Sequence, residues 1–215
     1  REAAERLQAS LAAQVVVADR FGRIDTVAGV DVAYDREGKR ATAAIAVLRA
    51  DDLSVVETRT LDSAVRFPYI PGLLSFRELP AICALLQQVT AIPDLLICDG
   101  QGIAHPRRFG LACHLGVMFD LPAIGCAKTP LLGAGREPGM ARGDSAALLD
   151  QGETVPVRGS TRRCASGSSL PAAEPSSSRP CSVCSVRAVS SSLSSTTCRK
   201  RAATPVTAGT RAWQP

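Results

Sequence analysis

A chain of 215 residues that is 46% hydrophobic suits one domain of ordinary size and excludes a wholly disordered protein. It has no run of about 18 apolar residues, so no transmembrane helix is expected, and the charged start Arg1-Glu2-Ala3-Ala4-Glu5-Arg6 lacks the apolar stretch of a signal peptide. The net charge of +5 would point to a polyanionic partner, but residues 1–150 hold 16 basic against 18 acidic side chains while residues 151–215 hold 9 against 2, so the excess belongs to the last part of the chain alone.

In chain order, Ala4, Leu7, Leu11, Ala12, Val15 and Val16 fall near helical spacing and predict an amphipathic helix within residues 1–19. Three strands follow, over Thr26–Tyr34, Ala41–Arg49 and Ser54–Leu61, joined by the turn-forming Asp35-Arg36-Glu37-Gly38-Lys39 and Ala50-Asp51-Asp52. Such a run reads as an antiparallel meander. Phe67-Pro68-Tyr69-Ile70-Pro71-Gly72 is a stiff loop, because two prolines fix φ and a glycine ends it. Ser75–Val89 predicts a helix, with Ser75 as N-cap, Glu78 completing a capping box and Pro80 in its first turns. Leu95–Asp99 is a buried strand ending in Asp99-Gly100-Gln101-Gly102; Leu111–Phe119 is a helix, and Ala123–Ala127 a last strand that ends at Lys128. A meander followed by right-handed βαβ crossovers gives an α/β fold, a mixed five-stranded sheet (three antiparallel strands, then parallel ones) flanked by helices. This is the order of the ribonuclease H-like fold.

Residues 151–215 break the pattern, with 14 Ser, a single aromatic (Trp213) and no sustained periodicity, and read as a disordered basic tail. The cysteines divide in the same way. Cys83, Cys98, Cys113 and Cys126 lie in apolar segments and read as small core residues, whereas Cys164, Cys181, Cys184 and Cys198 lie in the tail. Cys181-x-x-Cys184 is half of a zinc spacing with no second half.

Three carboxylates stand out. Asp31 lies mid-strand between valines, where a charge is costly unless paired or bound to a cation. Asp99 ends a strand at the edge where α/β sheets bind ligands, and Glu78 lies in the first turn of the helix between them. Adjacent first and fourth strands would set Asp31 against Asp99, with Glu78 aimed at the same point. Converging carboxylates raise each other's pKa, and a hard divalent cation, Mg²⁺ or Mn²⁺, resolves the repulsion and suits phosphodiester hydrolysis. The plainer alternatives are that Glu78 only caps its helix and that Asp99 only forms an Asx-turn with Gly100.

The strings Gly29-Val30-Asp31-Val32-Ala33-Tyr34, Phe67-Pro68-Tyr69-Ile70-Pro71-Gly72-Leu73-Leu74-Ser75-Phe76-Arg77-Glu78, Asp99-Gly100-Gln101-Gly102-Ile103-Ala104-His105-Pro106-Arg107-Arg108-Phe109-Gly110 and Ile124-Gly125-Cys126-Ala127-Lys128 resemble, in order and spacing over residues 1–140, the endonuclease V family of deoxyinosine-directed repair nucleases. The resemblance implies a ribonuclease H-like fold. It also implies Mg²⁺-dependent cleavage of the second phosphodiester bond 3′ to a deaminated base, chiefly hypoxanthine, leaving 3′-hydroxyl and 5′-phosphate ends.

By the same resemblance Asp31, Glu78 and Asp99 are metal-binding and catalytic carboxylates, and Lys128 is the active-site lysine, with a lysine snorkelling at a strand end as its alternative. Tyr69 is the wedge that replaces a flipped base, in a substrate-binding loop with Pro68, Ile70 and Gly72. Gly100 and Gly102 let backbone approach the base or phosphate; backbone amides of this loop read the hypoxanthine edge, and the role of Gln101 stays open. His105, Arg107 and Arg108 line the strand path as phosphate contacts, with His105 alternatively locking the loop to backbone; His114 packs structurally. The implied partner is DNA containing deaminated bases, or RNA, handled by a monomer in the cytoplasm.

The chain departs from the resemblance after residue 128. A further strand and helix with a Ser-x-Gly-His motif is expected there, but the only histidines, His105 and His114, lie upstream. The domain is therefore expected to be a truncated nuclease over 1–150, followed by a tail at 151–215 that is disordered or read out of frame from somewhere near residues 150–165. Two alternatives to the DNA nuclease follow: an inosine-specific ribonuclease, and a weakened protein that binds inosine lesions without cutting.

Overall fold

The computed structural model describes residues 1–18, 21–136, 144–159 and 182–184. Its elements are α1 (Glu2–Ala12), β1 (Thr26–Tyr34), β2 (Arg40–Arg49), β3 (Val55–Ala64), α2 (Leu74–Leu86), β4 (Leu95–Cys98), α3 (Leu111–Phe119), β5 (Ala123–Ala127), β6 (Ser145–Asp150), β7 (Glu153–Gly159) and β8 (Ser182–Cys184). The five expected strands form a mixed sheet in the order β3-β2-β1-β4-β5, and β8 adds to the β5 edge. β1, β2 and β3 are antiparallel; β4 runs parallel to β1 and β5 parallel to β4, while β8 is antiparallel. Among the described residues no helix is long and apolar enough to cross a membrane.

Alternation places Ala28 and Val30 of β1 and Ala43, Ile45 and Val47 of β2 on one face of the sheet. Leu79, Ile82 and Leu85 of α2 and Leu111, Ala112 and Leu115 of α3 pack against it, at the spacing of an apolar helical stripe. Cys98 and Cys113 lie buried, and Cys83 and Cys126 half-buried; Cys164, Cys181 and Cys198 lie outside the described residues.

Four local expectations are corrected. Helix α1 stops at Ala12, before the β-branched run Val15-Val16-Val17, which loses side-chain freedom in a helix. Ser75 is not the N-cap of α2: that position is Leu73, with no side-chain cap. Ser75 is instead buried inside the helix, its Oγ 3.2 Å from His114 Nδ1. Pro80 lies inside α2 rather than in its opening turns, removing the amide that would bond the Phe76 carbonyl.

The fourth correction is a hairpin, β6–β7, where no strands were expected and which runs across residue 150. Gln151 (φ 53°) and Gly152 (φ 83°) make a two-residue turn with both central residues left-handed, the geometry that suits the twist of paired strands. Leu148 and Val155 form a small second core with Ala104, against which Leu132 packs. Arg108 Nη2 donates to Asp150 Oδ2 and Glu153 Oε2, each at 2.9 Å. The hairpin is thereby docked on the loop after β4.

Candidate active site

The β1–β4 pairing ends at Val30↔Cys98. Asp31 and Asp99 are the next residues on each strand, so they stand level on neighbouring strands, and the Asp99 amide continues the ladder by donating to the Val30 carbonyl at 3.3 Å. Asp31 is exposed, not enclosed between its valines, because Val30 and Val32 take the core side of the strand. Glu78 comes from α2 and is 7% exposed. Its Oε1 accepts a hydrogen bond from the Tyr34 hydroxyl at 3.1 Å, and the Arg77 guanidinium lies 4.6 Å over the Tyr34 ring.

Burial first, and then the charges of Asp31 and Asp99, push the Glu78 carboxyl up to about 7 against the opposing Tyr34 hydrogen bond. The three carboxylates thus share one electrostatic neighbourhood. Burial also raises the Tyr34 phenol, with Glu78 adding to it. Lys128, at the end of β5, donates from Nζ to Asp99 Oδ2 at 2.6 Å.

Among the described residues no three or more His, Cys, Asp or Glu side chains stand as a ready metal cluster. The donor chemistry fits a hard divalent cation all the same. The donors are carboxylate oxygens, and beyond burial the charges of Asp31 and Asp99 raise Glu78, a repulsion that a cation would relieve.

Beside the carboxylates is a cavity of about 210 Å³ lined by Tyr69, Ile70 and Gly72 on one side, by Asp99, Gly100, Gln101 and Lys128 on another, and by Gly110 and Leu111 at the N-terminus of α3. Tyr69 is 68% exposed on its loop, and Pro68 beside it is exposed outside the lining. The backbone around Gly100 is packed tightly against β5: a Cβ at Gly125 would sit 2.6 Å from the Gly100 carbonyl oxygen. Gly102 is buried outside the lining, its carbonyl accepting the Gly110 amide at 2.9 Å. Gln101 Nε2 donates to the Thr129 carbonyl at 2.8 Å, while its Oε1 is buried without a hydrogen-bond partner.

The basic residues after β4 turn inward. His105 is 3% exposed, with Nε2 2.9 Å from the Gly72 carbonyl. Its Nδ1 accepts the Arg107 amide at 3.1 Å, so Nε2 carries the proton and donates to Gly72. Burial lowers the His105 pKa to about 4 and keeps the ring neutral. Arg107 Nη2 donates to the same Gly72 carbonyl at 2.9 Å, and Arg108 holds the β6–β7 hairpin. His114 is buried against Phe76 and Phe109, away from the cavity lining.

Two participants were missed from sequence. Tyr34 stands in a strand where it reads as an ordinary core aromatic. Gln8 lies on the apolar stripe of α1, in step with Ala4, Leu11, Ala12 and Val15, and a buried amide in such a stripe is the signal that was available.

The chain matches the family described as Endonuclease V over residues 9–166. It is 50% identical over 162 residues to the endonuclease V of Nocardia farcinica, covering 75% of this chain and 71% of that protein. The crystal structure of the Streptomyces avermitilis endonuclease V superposes with a TM-score of 0.73 at 39% identity, covering 89% of this chain and 77% of that one. The Ciona intestinalis endonuclease V, solved in complex with DNA containing an inosine followed by a ribo-adenosine, has a TM-score of 0.69 at 24% identity, covering 88% of this chain and 83% of that one. With a match that spans most of its length and a nuclease fold of the same order, the chain belongs to the endonuclease V family.

Proposed function

We propose that this protein hydrolyses the second phosphodiester bond 3′ to a deaminated base, chiefly hypoxanthine, in DNA. The observation that carries the reading is that Tyr69 lines the same cavity as Asp99 and Lys128, although the loop and the strand ends are far apart in sequence. An aromatic side chain on a proline-stiffened loop can fill the gap left by a flipped base, and flipping costs least where pairing is already weak. The cavity beside it, walled partly by the Gly72, Gly100 and Gly110 backbone, is on the scale of a single purine and offers main-chain groups to its polar edge.

Asp31, Glu78 and Asp99 would hold Mg²⁺, or Mn²⁺ in its place. Bound there, the cation would supply Lewis acidity and charge neutralisation at the scissile phosphate. The chain's own groups do the rest. Tyr34 and burial hold Glu78 in place. Lys128 orients Asp99 and offers positive charge to the phosphate. His105 and Arg107 fix the turn of the Tyr69 loop rather than reaching outward.

A second reading, that the protein grips inosine without cutting, is favoured by one observation: both histidines of the sequence are spent on internal contacts, and neither contacts Asp31, Glu78 or Asp99. End-labelled DNA and RNA strands, each with one inosine, decide between these readings when incubated with Mg²⁺. Cutting of the DNA at the second bond supports the nuclease. Cutting of RNA alone supports a ribonuclease, and a gel shift without cutting supports the binder.

A further inference from the structure

Gln8 is 1% exposed, deep under α1. Packing alone would be served as well by leucine, since a buried amide is costly unless it is bonded. Both polar atoms of this amide are used. Nε2 donates to the Gly72 carbonyl at 3.1 Å and to the Phe109 carbonyl at 3.0 Å. Oε1 accepts from Arg107 Nε at 2.6 Å.

Gln8 itself lines the cavity, and so does its partner Gly72. Gly72 ends the Tyr69 loop, in a left-handed conformation (φ +79°) that favours glycine, and its carbonyl receives Gln8, His105 and Arg107 together. Phe109 precedes Gly110, which lines the same cavity with Leu111 at the start of α3. The end of helix α1 and the turn after it anchor such a tie, because Leu11, Ala12 and Val15 pack on the buried Phe109–Cys113 pair.

We propose that Gln8 is a positioning residue: it ties the Tyr69 loop to the α3 end of the cavity and so sets the width of the slot that a flipped base enters. The assignment to a base rests on the function proposed above, whereas the tie itself does not. Losing it loosens the loop and lowers discrimination between inosine and an ordinary base, beyond any loss of stability.

The test uses the full chain with Gln8→Leu, which removes all three bonds. It adds Gln8→Glu, which keeps the volume and the Arg107 pair but cannot donate to either carbonyl when ionised, together with Tyr69→Ala and the Gln8→Leu/Tyr69→Ala double variant. Amide hydrogen exchange of residues 69–74 is measured without DNA. Binding is measured by gel shift on duplexes that carry one inosine or an adenine at the same site.

The expected result is exchange at 69–74 faster by about tenfold or more, while strand amides follow only the global stability, and an inosine preference reduced about tenfold. The double variant should be no less selective than Tyr69→Ala alone, as for two residues acting through one loop. If Gln8→Leu fails to fold, Gln8→Glu carries the same expectations. Unchanged exchange at 69–74, or additive losses of selectivity, would overturn the proposal. Wild-type protein with no preference for inosine would overturn the function reading instead, with the exchange measurement still deciding the tie.

Discussion

Tyr69 is exposed on its loop, so its removal should separate function from folding. Tyr69→Ala is expected to leave stability within about 0.5 kcal/mol, as for surface changes, and to lower inosine preference about tenfold, the low end of what one aromatic–base stack contributes. Thermal melting and gel shifts with matched duplexes check the two halves. Lys128 is exposed as well, and its ammonium touches Asp99. Lys128→Ala is expected to lower turnover roughly 10²-fold, the scale for removing one preorganised charge donor, with KM nearly unchanged; a steady-state cleavage assay reads both. At this scale the sequence made residue types legible but not their partners. Asp31, Glu78 and Asp99 could be picked out because carboxylates in or beside apolar runs demand a reason. That Glu78 bonds Tyr34 rather than a helix end depends on how α2 lies over the sheet, which no local pattern encodes. The resemblance marks His105 and Arg107 as phosphate contacts, with His105 alternatively locking the loop to backbone; the partners they have here, Gly72 and Gln8, come from distant segments that no local pattern links to them.

At the level of elements, the β6–β7 hairpin holds the loop after β4 by apolar packing more than by charge. Leu148→Ala is expected to cost about 2–5 kcal/mol through the cavity it leaves against Ala104 and Val155. Arg108→Ala, whose ion pairs are partly exposed, should cost no more than about 1 kcal/mol. Urea titrations of both variants test this order, and a larger loss from Arg108→Ala would reverse it. Strand β1, helix α3 and strand β5 were legible to the residue, because each is a continuous apolar or alternating run closed by turn chemistry or a charge. The hairpin was not legible: its strands are short, and its turn carries Gln-Gly where Asn-Gly is the strong signal. The end of α1 was overrun because Val15 and Val16 keep the helical period while being poor helix formers.

The whole molecule buries two neutral imidazoles, and this gives its stability a pH dependence. Burial lowers His105 and His114 to about 4 from an ordinary 6.5. The unfolded chain therefore binds more protons than the native one between those values, and stability falls as pH drops through this window by about 1.4 kcal/mol per pH unit for each ring. The contribution of the rings should be absent above about pH 7 and level off below about 4. The Glu78 carboxyl, raised to about 7, opposes the rings over part of this window, because the native state there binds the extra proton. Urea melts of the wild type against His114→Asn, which removes one titrating ring, would show the slope lowered by about 1.4 kcal/mol per pH unit in the variant. The break in composition belongs to this scale too. With the family match reaching residue 166 and no histidine beyond His114, we expect the coding DNA downstream to encode a strand–helix segment with a Ser-x-Gly-His motif in another frame; its absence from both other frames would contradict an out-of-frame tail. On the function proposed above, Asp31 would act with Glu78 and Asp99 in lesion-directed cleavage. The most direct measurement is Mg²⁺-dependent cleavage of an end-labelled duplex with a single inosine, wild type beside Asp31→Ala. A cut at the second bond 3′ to the inosine that is lost in Asp31→Ala is the predicted result, and equal cutting of the inosine-free duplex, or cutting that survives Asp31→Ala, would contradict it.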